Sequence, residues 1–272
     1  MVLTPGLLDS LPAWFATNNP DNDTLTSEQA SSSTTILAFQ GNDTITGSQN
    51  TDVIYGGQQN DELFGQAGGD RLFGNKDTDL LDGGLGDDVL FGGSGSDLIV
   101  GGEGVDILTG DRDVDIYKGG EGADIFVLRT DQAGQTQEVD FFVSLLPGIP
   151  DEVELPDAII TDFDSANDQI GLTEGLTKQD ITFETFNSQE TFGVTIDLIL
   201  PIVLSSVPEG VEFLEKGGIS SEDLDPDGDG VLTGTAIRIA DNNQLLGYVL
   251  NVEPEVLGNL PSDRFVASEG LF

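Results

Sequence analysis

An aspartate stands at every ninth residue from position 43 to position 124: Asp43, Asp52, Asp61, Asp70, Asp79, Asp88, Asp97, Asp106, Asp115 and Asp124. Two residues after each comes an apolar or aromatic side chain: Ile45, Ile54, Leu63, Leu72, Leu81, Leu90, Ile99, Leu108, Tyr117 and Phe126. Each repeat after the first opens on glycine, from Gly47 to Gly119. One hydrophobe per short unit is buried only if units stack on one another, so the period predicts a solenoid.

Within the unit Gly-Gly-x-Gly-x-Asp-x-hydrophobe-x, the spacing divides a six-residue loop from a three-residue strand. Glycine permits positive φ and close backbone approach, which turns carbonyl oxygens inward. Aspartate adds carboxylate oxygens. Calcium accepts roughly 6–8 such oxygens at about 2.3–2.6 Å in flexible geometry, whereas magnesium demands a tighter octahedron. With two units per coil, loops eighteen residues apart stack about 4.8 Å from each other. Ten units then leave room for on the order of eight shared ions. The alternative is a metal-free solenoid whose aspartates cap turns, but unneutralised carboxylates at that spacing repel one another.

These residues resemble the RTX, or hemolysin-type, calcium-binding nonapeptide repeat. The resemblance covers residues 38–127 and implies a parallel β-roll, a right-handed β-solenoid, that folds on binding Ca2+. It also implies a bacterial protein exported by type I secretion without a cleaved N-terminal signal. Departures occur where Asn50, Gln59, Asp77 and Asp113 replace the fourth-position glycine and where Ala38 and Phe39 open the first unit. Asn and Asp tolerate left-handed geometry, while Gln59 is expected to strain its loop. The expected metal ligands are the ten repeat aspartates together with the loop glycines Gly84, Gly86, Gly93, Gly95, Gly102, Gly104, Gly120 and Gly122. The loops around Asp88, Asp97, Asp106 and Asp124 follow the pattern most closely.

Charge supports a cationic partner. Fifty acids against nine bases give a formal net charge of −41, which opposes compaction and makes nucleic acid or an anionic membrane surface a poor partner. The chain has no cysteine and no histidine. Disulfides, thiolate nucleophiles, Ser-His dyads and imidazole zinc sites are thereby excluded, and no catalytic residue is assigned. No apolar run is long enough to span a bilayer. The richest, VTIDLILPIVL at 194–204, is interrupted by Asp197 and Pro201 and reads as strand. The N-terminus shows no basic, long-apolar, small-residue signal pattern.

The expected organisation is all-β: an N-terminal arm or cap over residues 1–37, the roll over 38–127, and a β-rich capping module over 128–272. In the arm, Leu7, Leu8, Leu11, Trp14 and Phe15 form an apolar patch that is either a cover for the first coil or a loose tail. Outward positions of alternate units line up Tyr55, Phe73 and Phe91. Such a row calls for a cover from the chain's own termini or from a protein or cell-surface partner, unless it is simply β-forming filler. In the module, ITFETF, VTIDLIL, TAIRIA and LLGYVLNV alternate as antiparallel strands do. Asp225, Asp227 and Asp229, followed by Gly230, match the front half of an EF-hand loop, but Ala236 stands where the bidentate glutamate belongs and TAIRIA reads as strand. The triad is therefore either a noncanonical calcium loop or a solvated acidic turn. Asp162, Asp164 and Asp168 form a similar acidic cluster that reads as a turn first and as a calcium site second.

The functional expectation is a secreted calcium-binding structural or adhesive protein in which calcium folds the roll. Alternatives are a non-catalytic secretion or stability module, or a hydrolase with a carboxylate site in the C-terminal module. Ice binding is disfavoured because Thr44, Thr46 and Thr109 form no regular row.

Overall fold

Each repeat places one apolar side chain between two neighbours that face the other way, the arrangement that strand pleating requires. A computed structural model describes residues 4–5, 13–15, 24–26, 35–129, 136–138, 152–154, 156–192, 214–269 and 271. The chain divides into two units, one of Met1–Asp115 and Gly119–Ile125, the other of Ile116–Lys118 and Phe126–Phe272.

The strands of the first unit are β1 (Thr4–Pro5), β2 (Ala13–Phe15), β3 (Thr24–Thr26), β4 (Thr35–Gln40), β5 (Thr44–Thr46), β6 (Val53–Gln58), β7 (Glu62–Ala67), β8 (Arg71–Lys76), β9 (Leu80–Leu85), β10 (Val89–Ser94), β11 (Leu98–Gly104) and β12 (Ile107–Arg112). Strands β4, β6, β8, β10 and β12 lie in one sheet and β3, β5, β7, β9 and β11 in another. From β4 onward the pairing is parallel with partners eighteen residues apart, as in Val53 opposite Arg71 and Arg71 opposite Val89. Two nonapeptides therefore make one coil, and these strands form a parallel β-solenoid.

The strands are longer than the three residues expected. Most run six residues, because pairing skips the opening glycine and resumes beyond it: after Tyr55 faces Phe73, Gly57 faces Asn75. Successive coils share one conformation, so their backbones stay in hydrogen-bonding register even through the bend. The roll also starts earlier than its aspartates. Ile36 is already fully buried in β4, and β2 and β3 pair in parallel with β4 and β5. Ladder pairing needs only extended backbone, so it continues where the motif has faded.

Two apolar columns fill the interior. Ile36, Ile54, Leu72, Leu90 and Leu108 form one and Ile45, Leu63, Leu81 and Ile99 the other, all at 0% exposure. Burial of such side chains contributes about 1.5–3 kcal/mol each. On the outside, Tyr55, Phe73 and Phe91 are half-buried and stack face to face with centroids 4.7 Å apart. The Arg71 guanidinium lies 5.9 Å from the Phe73 ring centroid. The apolar outward residues that are fully enclosed belong to the other sheet, where Leu80 and Leu98 have 0% exposure.

Strands β13 (Asp115–Gly122) and β14 (Ile125–Leu128) contribute residues to both units. The second unit also contains β15 (Thr136–Glu138), β16 (Glu152–Glu154), β17 (Ala158–Ile160), β18 (Gln169–Leu172), β19 (Ile181–Asn187), β20 (Thr233–Ile239), β21 (Leu245–Leu250) and β22 (Phe265–Ala267). The antiparallel expectation holds for β19 with β20 and β20 with β21, whereas β17 with β21 and β18 with β22 are parallel. Ile237, Leu245, Leu246, Val249 and Leu257 form its dry centre. Lys178 caps the helix Pro254–Asn259 by donating to the Gly258 and Leu260 carbonyls. The expected strand at 194–200 and the side chains of Leu7, Leu8, Leu11, Trp14 and Phe15 lie outside the described residues. Among the described residues, no helix is long and apolar enough to cross a membrane.

Candidate metal-binding loops

The repeat aspartates do not splay into water. Asp43, Asp52, Asp61, Asp70, Asp79, Asp88, Asp97, Asp106, Asp115 and Asp124 are each at most 1% exposed and stand in two rows, one on each side of the roll. In each row the carboxylate reaches back one coil. Asp61 Oδ1 accepts the Asp43 N–H, Asp79 that of Asp61, Asp97 that of Asp79, and Asp115 that of Asp97, at 2.8–3.0 Å. In the second row Asp70, Asp88, Asp106 and Asp124 do the same for Asp52, Asp70, Asp88 and Asp106 at 2.6–3.0 Å.

The glycines shape the space around these carboxylates in two ways. A Cβ on the opening Gly74 would lie 2.3 Å from Asp79 Oδ2 and 2.6 Å from the Gly92 oxygen, so the missing side chain makes room for acceptor oxygens. At the second and fourth positions the φ is positive, as in Gly84 (98°) and Gly86 (122°), and the backbone packs directly against the carbonyl of the preceding coil. Gly93, Gly95, Gly102, Gly104, Gly120 and Gly122 repeat this geometry. Of the replacements, Gln59 (73°), Asp77 (70°) and Asp113 (72°) are held left-handed as expected. Asn50 is not. Its loop closes differently, with the Ser48 N–H donating to Asp52 Oδ2 at 2.6 Å and the Asn50 N–H donating to Ser48 Oγ. Asp52 Oδ2 thus has a local donor, unlike Oδ2 of Asp61, Asp70, Asp79, Asp88, Asp97 and Asp106.

The second oxygen is the informative one. Oδ2 of Asp61, Asp70, Asp79, Asp88, Asp97 and Asp106 is buried and meets no hydrogen-bond donor. Leaving such an oxygen unsatisfied costs about 1–3 kcal/mol, more when charged. Burial accordingly pushes these carboxyls up: Asp70, Asp88 and Asp106 to about 7, Asp61 to about 8 and Asp79 to about 10. The accepted amide hydrogen bonds pull each one down, and the neighbouring carboxylates push it further up. Asp97 is raised well above the carboxylate range, by burial first and then by the charges of Asp113 and Asp111.

A cation between coils would satisfy those orphaned oxygens and cancel the repulsion together. The donors are carboxylate and carbonyl oxygens with no sulfur or imidazole, a set suited to a hard dication with many flexible ligands, hence calcium.

In the second unit, carboxylate oxygens of Asp225, Asp227 and Asp229 come within 4.8 Å of one another. Asp225 accepts the Gly228 and Gly230 N–H groups, Asp227 that of Asp229, and Asp229 that of Val231. Ala236 lies in β20, so the exit is a strand. Asp164 and Asp168 close a turn through the Asp164 and Ala166 amides, and Arg264 ties it down at the Ala166, Asn167 and Asp168 carbonyls.

The family model of the RTX calcium-binding nonapeptide repeat matches in four copies, over residues 40–63, 55–90, 64–99 and 91–126. No curated protein and no solved structure matches the chain at a significant level.

Proposed function

Because the chain is an RTX-type repeat protein over residues 40–126, we propose that it is a secreted calcium-binding structural or adhesive protein whose roll assembles when calcium enters the stacked loops. The observation that carries this reading is the series of buried, donorless Oδ2 atoms of Asp61, Asp70, Asp79, Asp88, Asp97 and Asp106. The proposed ligands are the repeat aspartates and the carbonyls of the glycine loops named above. Calcium would supply the positive charge that the stacked loops lack.

The unfolded chain holds no preformed cage, so ion-binding free energy becomes folding free energy. At low free calcium, repulsion among the loops keeps the roll open, which suits export as an unfolded chain. At the roughly millimolar calcium of extracellular sites the loops are neutralised and the coils stack. RTX repeats are typical of secreted proteins, which agrees with this order of events. The smaller Asp225, Asp227 and Asp229 turn is proposed as a further calcium locus, and the half-buried Tyr55, Phe73 and Phe91 row as the surface offered to a protein or cell-surface partner.

Circular dichroism during calcium titration, repeated with magnesium, tests the reading. Strand signal that develops with calcium and not with an equal concentration of magnesium supports it. Identical spectra with calcium and with chelator would overturn it.

A further inference from the structure

The loop gaps are not chemically equal. In the gap between loops 65–70 and 83–88 the second and fourth positions of the upper loop are Gly84 and Gly86, which bring no side chain. In loop 110–115 the same two positions are Asp111 and Asp113, at φ 112° and 72°. Both are left-handed, the geometry in which a side chain is least welcome.

Register places these two side chains. A Cβ added at Gly93 or Gly95 would meet the oxygen of Asn75 or Asp77, the residue eighteen positions earlier. The left-handed positions therefore point their Cβ atoms at the coil before. Gly93 is the partner of Asp111 across the ladder, so Asp111 and Asp113 rise from loop 110–115 toward loop 92–97. Asp77 shows where such a carboxylate goes. Its Oδ2 spans the gap to the preceding coil and accepts the Gln59 N–H at 2.9 Å.

The gap between loops 92–97 and 110–115 thus receives Asp111 and Asp113 in addition to Asp115, whose Oδ1 already accepts the Asp97 N–H. Beside it lies Asp97, buried, with an Oδ2 that meets no donor. Asp113 and Asp111 are the carboxylates whose charge Asp97 feels. Asp111 is half-buried, and Arg112 and Asp113 are exposed. Calcium affinity rises with the number of charged ligands and the rigidity of the cage.

We propose that Asp111 and Asp113 are additional ligands that make the gap between loops 92–97 and 110–115 the tightest dication site of the roll, filled ahead of the loops that carry only glycine at these positions. This rests on the calcium reading above and adds an order of filling to it. Stacking then begins at this gap and spreads toward the earlier coils.

The experiment is calcium titration calorimetry on the full chain, with and without a competing chelator, for the parent, for Asp111→Gly/Asp113→Gly and for Glu103→Gln/Glu121→Gln. Glycine is the least strained residue at these φ values, so a purely conformational role predicts unchanged or firmer folding in the first variant. A ligand role predicts a parent phase at least about tenfold tighter than the remainder, absent from that variant while saturating calcium still yields the full strand signal. The glutamine variant removes the same formal charge from positions that do not face the gap, and should keep the tight phase. Retention of that phase by the glycine variant, or its equal loss in the glutamine variant, overturns the proposal. A parent that binds no calcium at all would instead overturn the function proposed for the roll, a different result from two variants that bind alike.

Discussion

Asp79 accepts the Asp61 N–H through Oδ1 at 2.8 Å, while its Oδ2, equally buried, meets no donor. One carboxylate thus does two jobs, clipping a coil to its predecessor and presenting an oxygen to the gap. The two are separable by mutation. Asp79→Ala removes both and orphans the buried Asp61 amide, so stability in saturating calcium falls by about 1–3 kcal/mol in chemical denaturation. Asp79→Asn keeps an acceptor oxygen and removes the charge. It should fold more readily than the parent in chelator and need more calcium to reach full stability.

The pH response of the calcium-free chain follows from the direction of the carboxyl shifts. Asp70, Asp88 and Asp106 near 7, Asp61 near 8 and Asp79 near 10 all lie above 3.8, the ordinary value for an aspartate in an unfolded chain. The folded roll therefore binds more protons than the unfolded chain over this range, and its stability decreases as pH rises. The contribution is fully present below about pH 4 and is lost through about pH 7 to 10. In chelator, strand signal should be greatest near pH 4 and decline toward pH 8, as followed by circular dichroism. The reverse trend would remove the account of the buried ladder.

Glycines of the loops differ in what their missing side chain protects. At Gly86, φ is 122° and a Cβ would lie 1.5 Å from the Gly68 oxygen, a backbone clash that no rotamer relieves. Gly175 has φ 71° with nothing within 4 Å. Gly86→Ala should therefore cost more than about 3 kcal/mol in thermal unfolding, and Gly175→Ala only the left-handed penalty of about 1–2 kcal/mol. Gln59 presents the inverse case: at φ 73°, Gln59→Gly should stabilise the roll by about 1 kcal/mol while keeping the amide that donates to Asp77.

Phe73 sits between Tyr55 and Phe91 in the outer stack. Phe73→Ala breaks two ring contacts worth about 0.5–1.5 kcal/mol each, and should lower stability by about 1–3 kcal/mol. Phe73→Tyr preserves the stack and should be nearly neutral. Denaturation midpoints in calcium separate the two.

Most of the roll was legible in the chain because each repeat states its own structure. A hydrophobe two residues after each aspartate must point inward, and Leu63, Leu72, Leu81 and Leu90 do. Where the motif weakens, reading it was less complete: nothing around Ile36 announces a coil, yet the ladder incorporates it, since backbone pairing is indifferent to side-chain identity. Asn50 looks like a tolerable left-handed substitute, but Ser48 beside it offers an amide to Asp52 and the loop takes another path. Such local competition between donors has no signature in spacing.

The sequence by itself determined the period, the acid columns and the expectation of a cation, because these depend only on what recurs and on like charges brought close. Only the tertiary structure decided which oxygen of each aspartate is spent on the neighbouring coil and which is left facing the gap. It also decided that Asp111 stands opposite Gly93 in the ladder and that Asp97 feels the charges of Asp113 and Asp111. Those outcomes depend on φ at single positions and on the register between coils, and register exists only once the coils are stacked.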